Sequence, residues 1–155
     1  MFQTMLSKVL MTFLISMVPV LELRASIPAG IAAGLSPMAA FVISAVGNMV
    51  PVPFIILLIR QIFLWLRKND FLREIIEKLE HKAHLKGQVV QKYGPLGLMI
   101  LVAIPLPGTG AWTGALVAAI LDMSLRRAMP SIGLGVVIAG GITTAITCGV
   151  IQIFW

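Results

Sequence analysis

Three long stretches of this chain carry no charged residue, and they limit it to a fold in which most of the chain is surrounded by lipid. The stretches run from Ala25 to Ile59, from Tyr93 to Leu121 and from Ala128 to Trp155. About 20 apolar residues are enough to cross a bilayer as a helix. Of the 155 residues, 59% are apolar and 12% are charged, against roughly 45–50% and 25% in an ordinary globular domain. We therefore predict a single, all-α integral membrane domain.

The basic residues are concentrated between Arg60 and Lys92, in a stretch that we predict to lie in the cytoplasm. Membrane proteins keep lysine and arginine in their cytoplasmic loops. Within residues 67–92 apolar residues recur at helical spacing, and Glu74 precedes Lys78 by four positions. This pattern predicts a cytoplasmic amphipathic helix that lies on the membrane or against the protein.

The uncharged stretch that follows has prolines and glycines at its centre, at residues 105–110. These residues cannot continue a helix, which leaves two short helices of about 15 Å, each able to cross only half of the hydrocarbon core. Basic residues flank both ends, Lys92 before the stretch and Arg126 with Arg127 after it. The positive-inside rule puts both ends in the cytoplasm, so we predict a re-entrant hairpin over residues 93–124.

The remaining apolar segments follow a similar plan. Residues from Pro19 to Pro28 interrupt the first apolar run and predict another hairpin, and Pro51 and Pro53 should strain the spanning helix that follows it. The last spanning helix should bend at residues 140–141. The predicted segments are a hairpin (1–35), a spanning helix (36–66), the cytoplasmic helix and loop (67–92), a hairpin (93–124) and a spanning helix (125–155).

The two halves of the chain align with each other when Pro19 is placed over Pro105. The aligned pairs are Ala25 with Ala111, Ala29 with Ala115, Ala32 with Ala118 and, after two extra residues, Leu35-Ser36 with Met123-Ser124 and Ala40 with Ala128. An odd number of spans separates the halves, so the copies should be inverted. Inverted repeats are common in transporters that bind substrate near the bilayer midplane. Both termini would then lie outside the cell.

Glu22 and Arg24 are charged residues at predicted membrane depth, where a charge is costly unless it is paired or faces water. Because Pro19 and Pro28 disfavour a helix throughout this segment, we predict an extended loop with Glu22, Arg24 and Ser26 along one side. Such residues are functional candidates by default. The alternative is an ion pair that only holds the tip of the hairpin together.

The turn at residues 108–110 precedes a helix that we predict to begin near Ala111. Backbone N–H groups at such a helix start can bind an anion. Pro28 and Gly30 are predicted to open the short helix of the first hairpin in the same way, and Arg24 adds positive charge. The residues predicted to bind substrate are Glu22, Arg24, Ser26, Pro28, Pro105, Pro107, Gly108, Thr109, Gly110, Trp112 and Thr113.

Other polar residues in apolar surroundings have simpler predicted roles. Asp122 and Glu22 are the candidates for proton coupling, although a helix cap or an ion pair between Asp122 and Arg126 is the favoured role of Asp122. Asn48 and Thr143 are predicted to make hydrogen bonds between helices. The single cysteine has no disulfide partner, and we expect neither a cofactor nor a metal site.

Two stretches, Pro19-Val-Leu-Glu22-Leu-Arg24-Ala-Ser-Ile-Pro28 and Pro105-Leu-Pro107-Gly108-Thr-Gly110-Ala-Trp112-Thr-Gly114, resemble the signatures of the small multidrug export protein family, a branch of the DedA superfamily. The resemblance covers nearly the whole chain. It implies two opposed re-entrant hairpins and, for the superfamily, proton-coupled lipid translocation, with undecaprenyl phosphate as the bacterial substrate. Glu22 and Arg24 would correspond to its membrane-embedded acidic and basic residues. The second stretch lacks the arginine of better-known DedA proteins.

Three classes of function compete for this chain. We expect a transporter or flippase of an anionic lipid such as undecaprenyl phosphate, in the bacterial inner membrane, with its site between the hairpin tips. An exporter of lipophilic cations would need Glu22 free of Arg24. An intramembrane lipid phosphatase is disfavoured because no second glutamate lies near Glu22 and no Ser-Arg-Ser run follows Pro107, so we expect no enzyme. Glycine-lined helices favour a homodimer, and no nucleic acid partner is expected.

Overall fold

The computed structural model describes residues 2–86, 88–106 and 108–154, and every regular element in those ranges is an α-helix. In chain order the described helices are α1 (Phe2–Met17), α2 (Glu22–Ala32), α3 (Pro37–Met49), α4 (Pro51–Leu66), α5 (Asp70–Lys86), α6 (Gln88–Tyr93), α7 (Pro95–Ala103), α8 (Ala111–Ile120) and α9 (Leu125–Phe154). The all-α prediction is confirmed over this part of the chain.

Two helical segments in the described ranges are long and apolar enough to cross a bilayer. One is Pro37–Leu66, which joins α3 to α4 over 30 residues, and the other is Leu125–Ile153 in α9, with 29 residues. At the helical rise each is about 45 Å long, against a hydrocarbon core of about 30 Å. Both expose large apolar side chains, including Val42, Val46, Phe54, Leu57, Leu134, Val137, Ile142 and Ile146. These candidate spans coincide with the two spanning helices that the sequence predicts.

The first long segment is interrupted at Val50, directly before Pro51. A proline lacks the N–H group that continues the helical hydrogen-bond ladder, and Pro53 removes a second one. Val50 nevertheless has helical angles, φ −58° and ψ −49°, so the backbone stays helical in conformation through the interruption. In α9, by contrast, the helix is unbroken through residues 140–141, where the sequence predicts a bend.

Two pairs of shorter helices precede the long segments, α1 with α2 and α7 with α8, and the helices of each pair contact each other. With 9 and 10 residues, α7 and α8 are each about 15 Å long. The described residues between Ala103 and Ala111 contain no helix, and α8 begins at Ala111 as predicted. Each connection together with the helix ends that flank it is called a tip: residues 17–24 are the first tip and residues 104–112 are the second tip.

The predicted extended segment around Glu22, Arg24 and Ser26 is wrong. The helix α2 begins at Glu22 rather than at Pro28 and continues through Pro28, so only residues 18–21 separate it from α1. One side of α2 is buried, at Glu22, Leu23, Ser26, Ile27 and Gly30. Burial of this helical face outweighs the one hydrogen bond that Pro28 cannot donate.

The short helices pack against the long segments and form the core with them. The helix α8 packs on α4 and α2 packs on α9, while α1 contacts α3 and α7 contacts α9. Core residues include Leu23, Ile27, Val52, Ile56, Leu98, Val102, Ala115, Ala118, Ile132 and Val136. Alanine and glycine on α8 allow the helix backbones to approach closely, and the first turns of α2 and α8 meet inside the protein.

The helix α5 lies where the sequence predicts an amphipathic helix, and it contacts α4 and α8. Its ion pairs join Lys78 to Glu74 at 3.0 Å, Arg73 to Glu77 at 3.4 Å and Arg67 to Glu80 at 2.8 Å. Exposed pairs of this kind contribute little to stability. They agree with a polar outer face on α5, which the four-residue spacing of Glu74 and Lys78 predicts.

Candidate functional site

The carboxylate of Glu22, at the start of α2, reaches across to the start of α8. Its Oε1 accepts a hydrogen bond from the backbone N–H of Trp112 at 3.1 Å. Gly110 lies so close to this carboxylate that a Cβ at that position would overlap it. The first N–H groups of a helix have no partner within the helix, and the helix dipole favours a negative charge there. Glu22, which is buried, therefore caps a helix of the other pair.

The guanidinium of Arg24 is held by the second tip. Its Nη2 donates to the backbone oxygen of Leu106, and to both the backbone oxygen and Oγ1 of Thr109 at 3.1 Å each. The same hydroxyl of Thr109 bonds to the backbone oxygen of Ile104 at 2.6 Å. Arg24 thus binds the second tip where that tip is already tied together.

Glu22 and Arg24 do not form an ion pair with each other. The ion pairs among the described residues involve Arg60, Arg67, Arg73 and Lys78. In a helix, side chains two positions apart point to different faces, and here each of the two finds separate partners in the other half of the chain. The carboxylate of Glu22 is therefore left without a directly paired cation.

Trp112 makes a contact in the opposite direction, from α8 to the end of α1. Its Nε1 donates to the backbone oxygen of Met17 at 3.2 Å. Thr113 donates from Oγ1 to the backbone oxygen of Gly108 at 3.0 Å, which ties the second tip to α8. We call the hydrogen bonds that cross between the halves the tip clasp: Glu22 to Trp112, Arg24 to Leu106 and Thr109, and Trp112 to Met17.

A cavity of about 10 Å³ borders the tip clasp, and its lining includes Glu22, Arg24, Asn48, Pro105, Gly110 and Thr143. This volume holds about one water molecule. Asn48 is fully buried, and neither its amide nitrogen nor its amide oxygen has a hydrogen-bond partner among the described atoms. Thr143 donates to the backbone oxygen of Ala139 in its own helix at 2.8 Å. The predicted hydrogen bonds between helices are therefore wrong at both Asn48 and Thr143.

Most of the predicted substrate-binding residues converge at the two tips. Ser26 is buried one helical turn beyond Glu22, and Pro28 lies further along α2, away from the clasp. Pro107 lies outside the described residues. For Asn48 the sequence predicts only a hydrogen bond between helices and no role in the site, and its sole signal is an amide in a long uncharged helix. Across the described ranges, no group of three or more His, Cys, Asp or Glu side chains could hold a metal ion.

Asp122 lies at the other end of α8, away from the tip clasp. Its Oδ1 pairs with Nε of Arg60 at 3.2 Å, and Nη2 of Arg60 also donates to the backbone oxygen of Met123 at 2.7 Å. The predicted partner, Arg126, is wrong because α8 packs against α4, which brings Arg60 to this turn. The side chain of Asp122 is 83% exposed. The structure therefore does not bring Asp122 and Glu22 together.

Comparison with known proteins connects this site to one family. Residues 22–142 match the family model described as "Putative small multi-drug export protein". The matched range begins at Glu22 and contains every residue of the tip clasp except Met17. No curated protein matches the chain. No solved structure matches it either.

Proposed function

The chain belongs to the small multi-drug export protein family, and we propose that it exports small lipophilic cations in exchange for protons, with the carboxylate of Glu22 as the binding group. The observation that carries this proposal is the position of Glu22, which is buried, borders a cavity and is not ion-paired with Arg24. A cation exporter needs a carboxylate that its own arginine does not neutralise. Arg24 bonds to Leu106 and Thr109 instead of pairing directly with Glu22, which supports the proposal.

One carboxylate is enough to couple the export of a cation to the uptake of a proton. As a carboxylate, Glu22 attracts a cation, and when it takes up a proton it loses that attraction and releases the cation. Arg24 does not compete for Glu22 because Leu106 and Thr109 hold its guanidinium. Each cycle would therefore exchange one proton for one monovalent cation.

An open apolar groove on the same helix as the cavity, α9, offers a surface for the lipophilic part of such a substrate. The groove has a volume of about 570 Å³ and is lined by residues of α3 and α9, including Met38, Phe41, Gly141, Thr144 and Cys148. Sites for drug-sized ligands measure about 300–1,000 Å³ and are mostly apolar. The groove and the cavity share one segment of α9, because Ala139 and Thr143 line the cavity. A substrate in the groove would reach Glu22 when the tips separate.

The proposed membrane arrangement has two opposed re-entrant hairpins, α1 with α2 and α7 with α8. It is supported by the length of α7 and α8, which are too short to cross the bilayer singly, and by the basic residues Lys92, Arg126 and Arg127 at both ends of the second hairpin. Residues 67–92 would be cytoplasmic, and both termini would be outside. The two tips would meet near the midplane.

An inverted repeat is supported by matching backbone conformations. Positive φ angles occur at Val20 and Glu22, at 81° and 43°, and at Gly108 and Gly110, at 83° and 138°. The two sets lie 88 positions apart. After α2 and α8, equivalent hydrogen bonds of 2.9 Å close the helix ends, from Leu35 N to Gly30 O and from Met123 N to Ala118 O.

Close helix contacts also repeat at matching positions. A Cβ on Gly47 would lie 2.9 Å from the backbone oxygen of Phe13, and a Cβ on Gly135 would lie 2.8 Å from that of Met99. Phe13 and Met99 are 86 positions apart, whereas Gly47 and Gly135 are 88 apart. This difference supports placing the two extra residues of the second half in the second tip rather than after Ala32, where the sequence comparison places them.

A second candidate function is transport of an anionic lipid such as undecaprenyl phosphate. The observation that favours it is that the start of α8 already binds an anionic group, the carboxylate of Glu22, next to the guanidinium of Arg24. A phosphate could take the place of that carboxylate once Glu22 is protonated. Membership of the DedA superfamily, which would favour this function, stays a prediction.

Transport in liposomes tests both functions. We expect liposomes containing the purified protein to move ethidium against a pH gradient, and the Glu22→Gln variant to lose this activity. The Glu77→Gln variant, changed on the exposed α5, is the matched control and should keep it. If ethidium is not moved but a fluorescent polyprenyl phosphate crosses the bilayer, and Arg24→Gln abolishes that movement, the anionic lipid is the substrate and the cation proposal is wrong.

Cysteine labelling tests the membrane arrangement separately. With Cys148 replaced by alanine, single cysteines at Lys92 and Arg127 should react with a membrane-impermeant reagent from the cytoplasmic side only. A cysteine at Thr109 should be protected from both sides. Labelling of the Lys92 and Arg127 positions from opposite sides would rule out the second hairpin and the inverted repeat with it.

A further inference from the structure

Five fully buried polar residues lie on α1, α2 and α3, the helices around Glu22. We propose that they hold water and form a proton path to Glu22 from the loop at residues 33–36. They are Thr12, Ser16, Ser26, Ser44 and Asn48, and we call them the polar column. This inference rests on the proposed function, because it names the route by which a proton reaches the binding carboxylate.

Helical spacing places members of the polar column in pairs on one face of each of three helices. The pairs that lie four positions apart, and so on one face of a helix, are Thr12 with Ser16 on α1, Glu22 with Ser26 on α2, and Ser44 with Asn48 on α3. These three helices all contact one another. Since α2 leads from the first tip to the loop at residues 33–36 and α3 leads back from that loop, Ser26 and Ser44 lie on the loop side of Glu22 and Asn48.

Several atoms of the polar column lack a hydrogen-bond partner among the described atoms: Oγ of Ser26, Oγ of Ser44, and both the nitrogen and the oxygen of the Asn48 amide. Buried polar groups in native proteins almost always have a partner, and ordered water often supplies it. Asn48 leaves a donor and an acceptor unused together. Water serves both, whereas a metal cation would serve only the oxygen. Because Asn48 and Glu22 line the same cavity, water there connects the two.

The corresponding positions of the second half are apolar or lack a side chain. They are Leu98, Val102, Gly114, Ile132 and Val136, in the order of the polar column. These residues pack on each other, since a Cβ on Gly114 would lie 3.6 Å from Ile132 and 3.8 Å from Leu98. The same arrangement of helices is therefore built without polar groups in the second half. The polar column is not needed for the fold, which favours a functional reason for it.

Charged side chains near the column are few. The helices that contact α2 are α1, α3, α8 and α9. The charged residues on them are Lys8 on α1 and Arg126 and Arg127 at the start of α9, while α3 and α8 carry none. On α2 itself the other charged residue is Arg24, which lines the cavity with Glu22 and is held by Leu106 and Thr109. Nζ of Lys8 would lie 3.2 Å from a Cβ on Gly34, in the loop at residues 33–36. Lys8 therefore marks the outer end of the column, and Glu22, the one acidic residue on α1, α2 and α3, is its proton acceptor.

Hydrogen–deuterium exchange at the Glu22 carboxyl group tests the path without any transported substrate. Infrared spectra of the full chain in lipid nanodiscs would identify the band of the protonated carboxyl by its loss in Glu22→Gln. On transfer to D₂O we expect Asn48→Val, Ser44→Ala and Thr12→Val each to slow exchange of this band at least tenfold. Ser131→Ala is the matched control, because this buried serine on α9 bonds to the backbone oxygen of Arg127, and its exchange should be unchanged.

The melting temperatures of the same proteins separate a path from a structural role. If Asn48 were only structural, Asn48→Val would lower the melting temperature and leave exchange unchanged, whereas the path predicts slower exchange with an equal or higher melting temperature. Unchanged exchange in both Asn48→Val and Ser44→Ala overturns the path. Unchanged exchange in Thr12→Val alone overturns the proposal that the path starts at the loop at residues 33–36. Slower exchange in a protein that exports no cation would support the path and contradict only the proposed function.

Discussion

The two tips have similar backbones but different chemistry. Arg24 and Trp112 occupy equivalent positions in the proposed repeat, and each reaches across to bond a backbone oxygen of the other tip. Arg24 does so with a charged group and Trp112 with a neutral one. Glu22, the acid of the clasp, has Gly110 as its counterpart. The proposed repeat would thus supply a shared scaffold, while Glu22 and Arg24, the charged side chains of the clasp, belong to the first tip alone.

The difference extends to backbone strain. In the second tip glycines occupy the positive φ angles, which they adopt at little cost. In the first tip the same conformation is adopted by Val20 and Glu22, and a non-glycine residue held there costs about 1–3 kcal/mol. Strain of this kind persists where the surrounding structure enforces it, and it is frequent at functional sites. At Glu22 the strained backbone carries the carboxylate that we propose to be functional.

The largest effect is expected at Gly110. Replacing it with alanine places a side chain at φ 138° and into the carboxylate of Glu22, so we expect Gly110→Ala to lower the free energy of unfolding by about 3–5 kcal/mol. Gly94→Ala is the control, because Gly94 also has a positive φ, of 59°, but no atom lies within 4 Å of its Cβ position; about 1 kcal/mol is expected there. Denaturant unfolding in detergent measures both.

The same substitution in a Glu22→Ala background separates the overlap with the Glu22 carboxylate from the strain of the Gly110 backbone. In Glu22→Ala protein the overlap is gone, so Gly110→Ala should cost about 1–3 kcal/mol, from the backbone alone. Equal losses at Gly110 and Gly94 in the wild-type background would mean that the two tips do not pack as described.

The next effect concerns the separate partners of Glu22 and Arg24. Because each bonds to a different part of the second tip, we expect Glu22→Gln and Arg24→Gln each to lower stability by about 1–3 kcal/mol. The losses should add in the double variant to within about 0.5 kcal/mol. Thermal unfolding of all four proteins measures this. Recovery of stability in the double variant would indicate an ion pair and remove the reason for regarding Glu22 as free to bind a cation.

Much of the fold follows from local sequence. Prolines and glycines end α7 before the second tip. The length of the uncharged stretches predicts the two long apolar helical segments, and the spacing of Glu74 and Lys78 predicts α5. These features depend on covalent geometry or on the hydrophobicity of neighbouring residues, so no knowledge of the tertiary structure is needed. The helix start at Ala111 was predictable for the same reason.

The details of the site did not follow from local sequence because distant packing decides them. The helix α2 continues through Pro28 since one of its faces is buried against α3 and α9. Asp122 pairs with Arg60, which lies far from it in the chain, rather than with nearby Arg126. The unused amide of Asn48 becomes visible only when neighbouring atoms are known.

A smaller effect is expected at Asp122, whose counterpart in the first half is Gly34. Both have a positive φ, 54° and 91°, and Asn tolerates that conformation, so Asp122→Asn removes the ion pair with Arg60 and little else. We expect a loss of about 0.2–1 kcal/mol, as for exposed pairs, and unchanged ethidium export. Loss of proton-driven export with normal folding would instead support the role in proton coupling that the sequence predicts for Asp122.

The smallest effect is expected at Val20, where the first tip can be given the residue of the second. Val20 is 88% exposed and has φ 81°, so its side chain contributes little packing, while its β-branched shape is strained at that angle. Glycine removes the strain but adds freedom to the unfolded chain. The two effects nearly cancel, and we expect Val20→Gly to raise stability by about 0.5 kcal/mol, measured by thermal unfolding with Val18→Gly as the control, which should only destabilise. A clear loss in Val20→Gly would show that the first tip does not share the backbone conformation of the second, and the comparison between the tips would then fail.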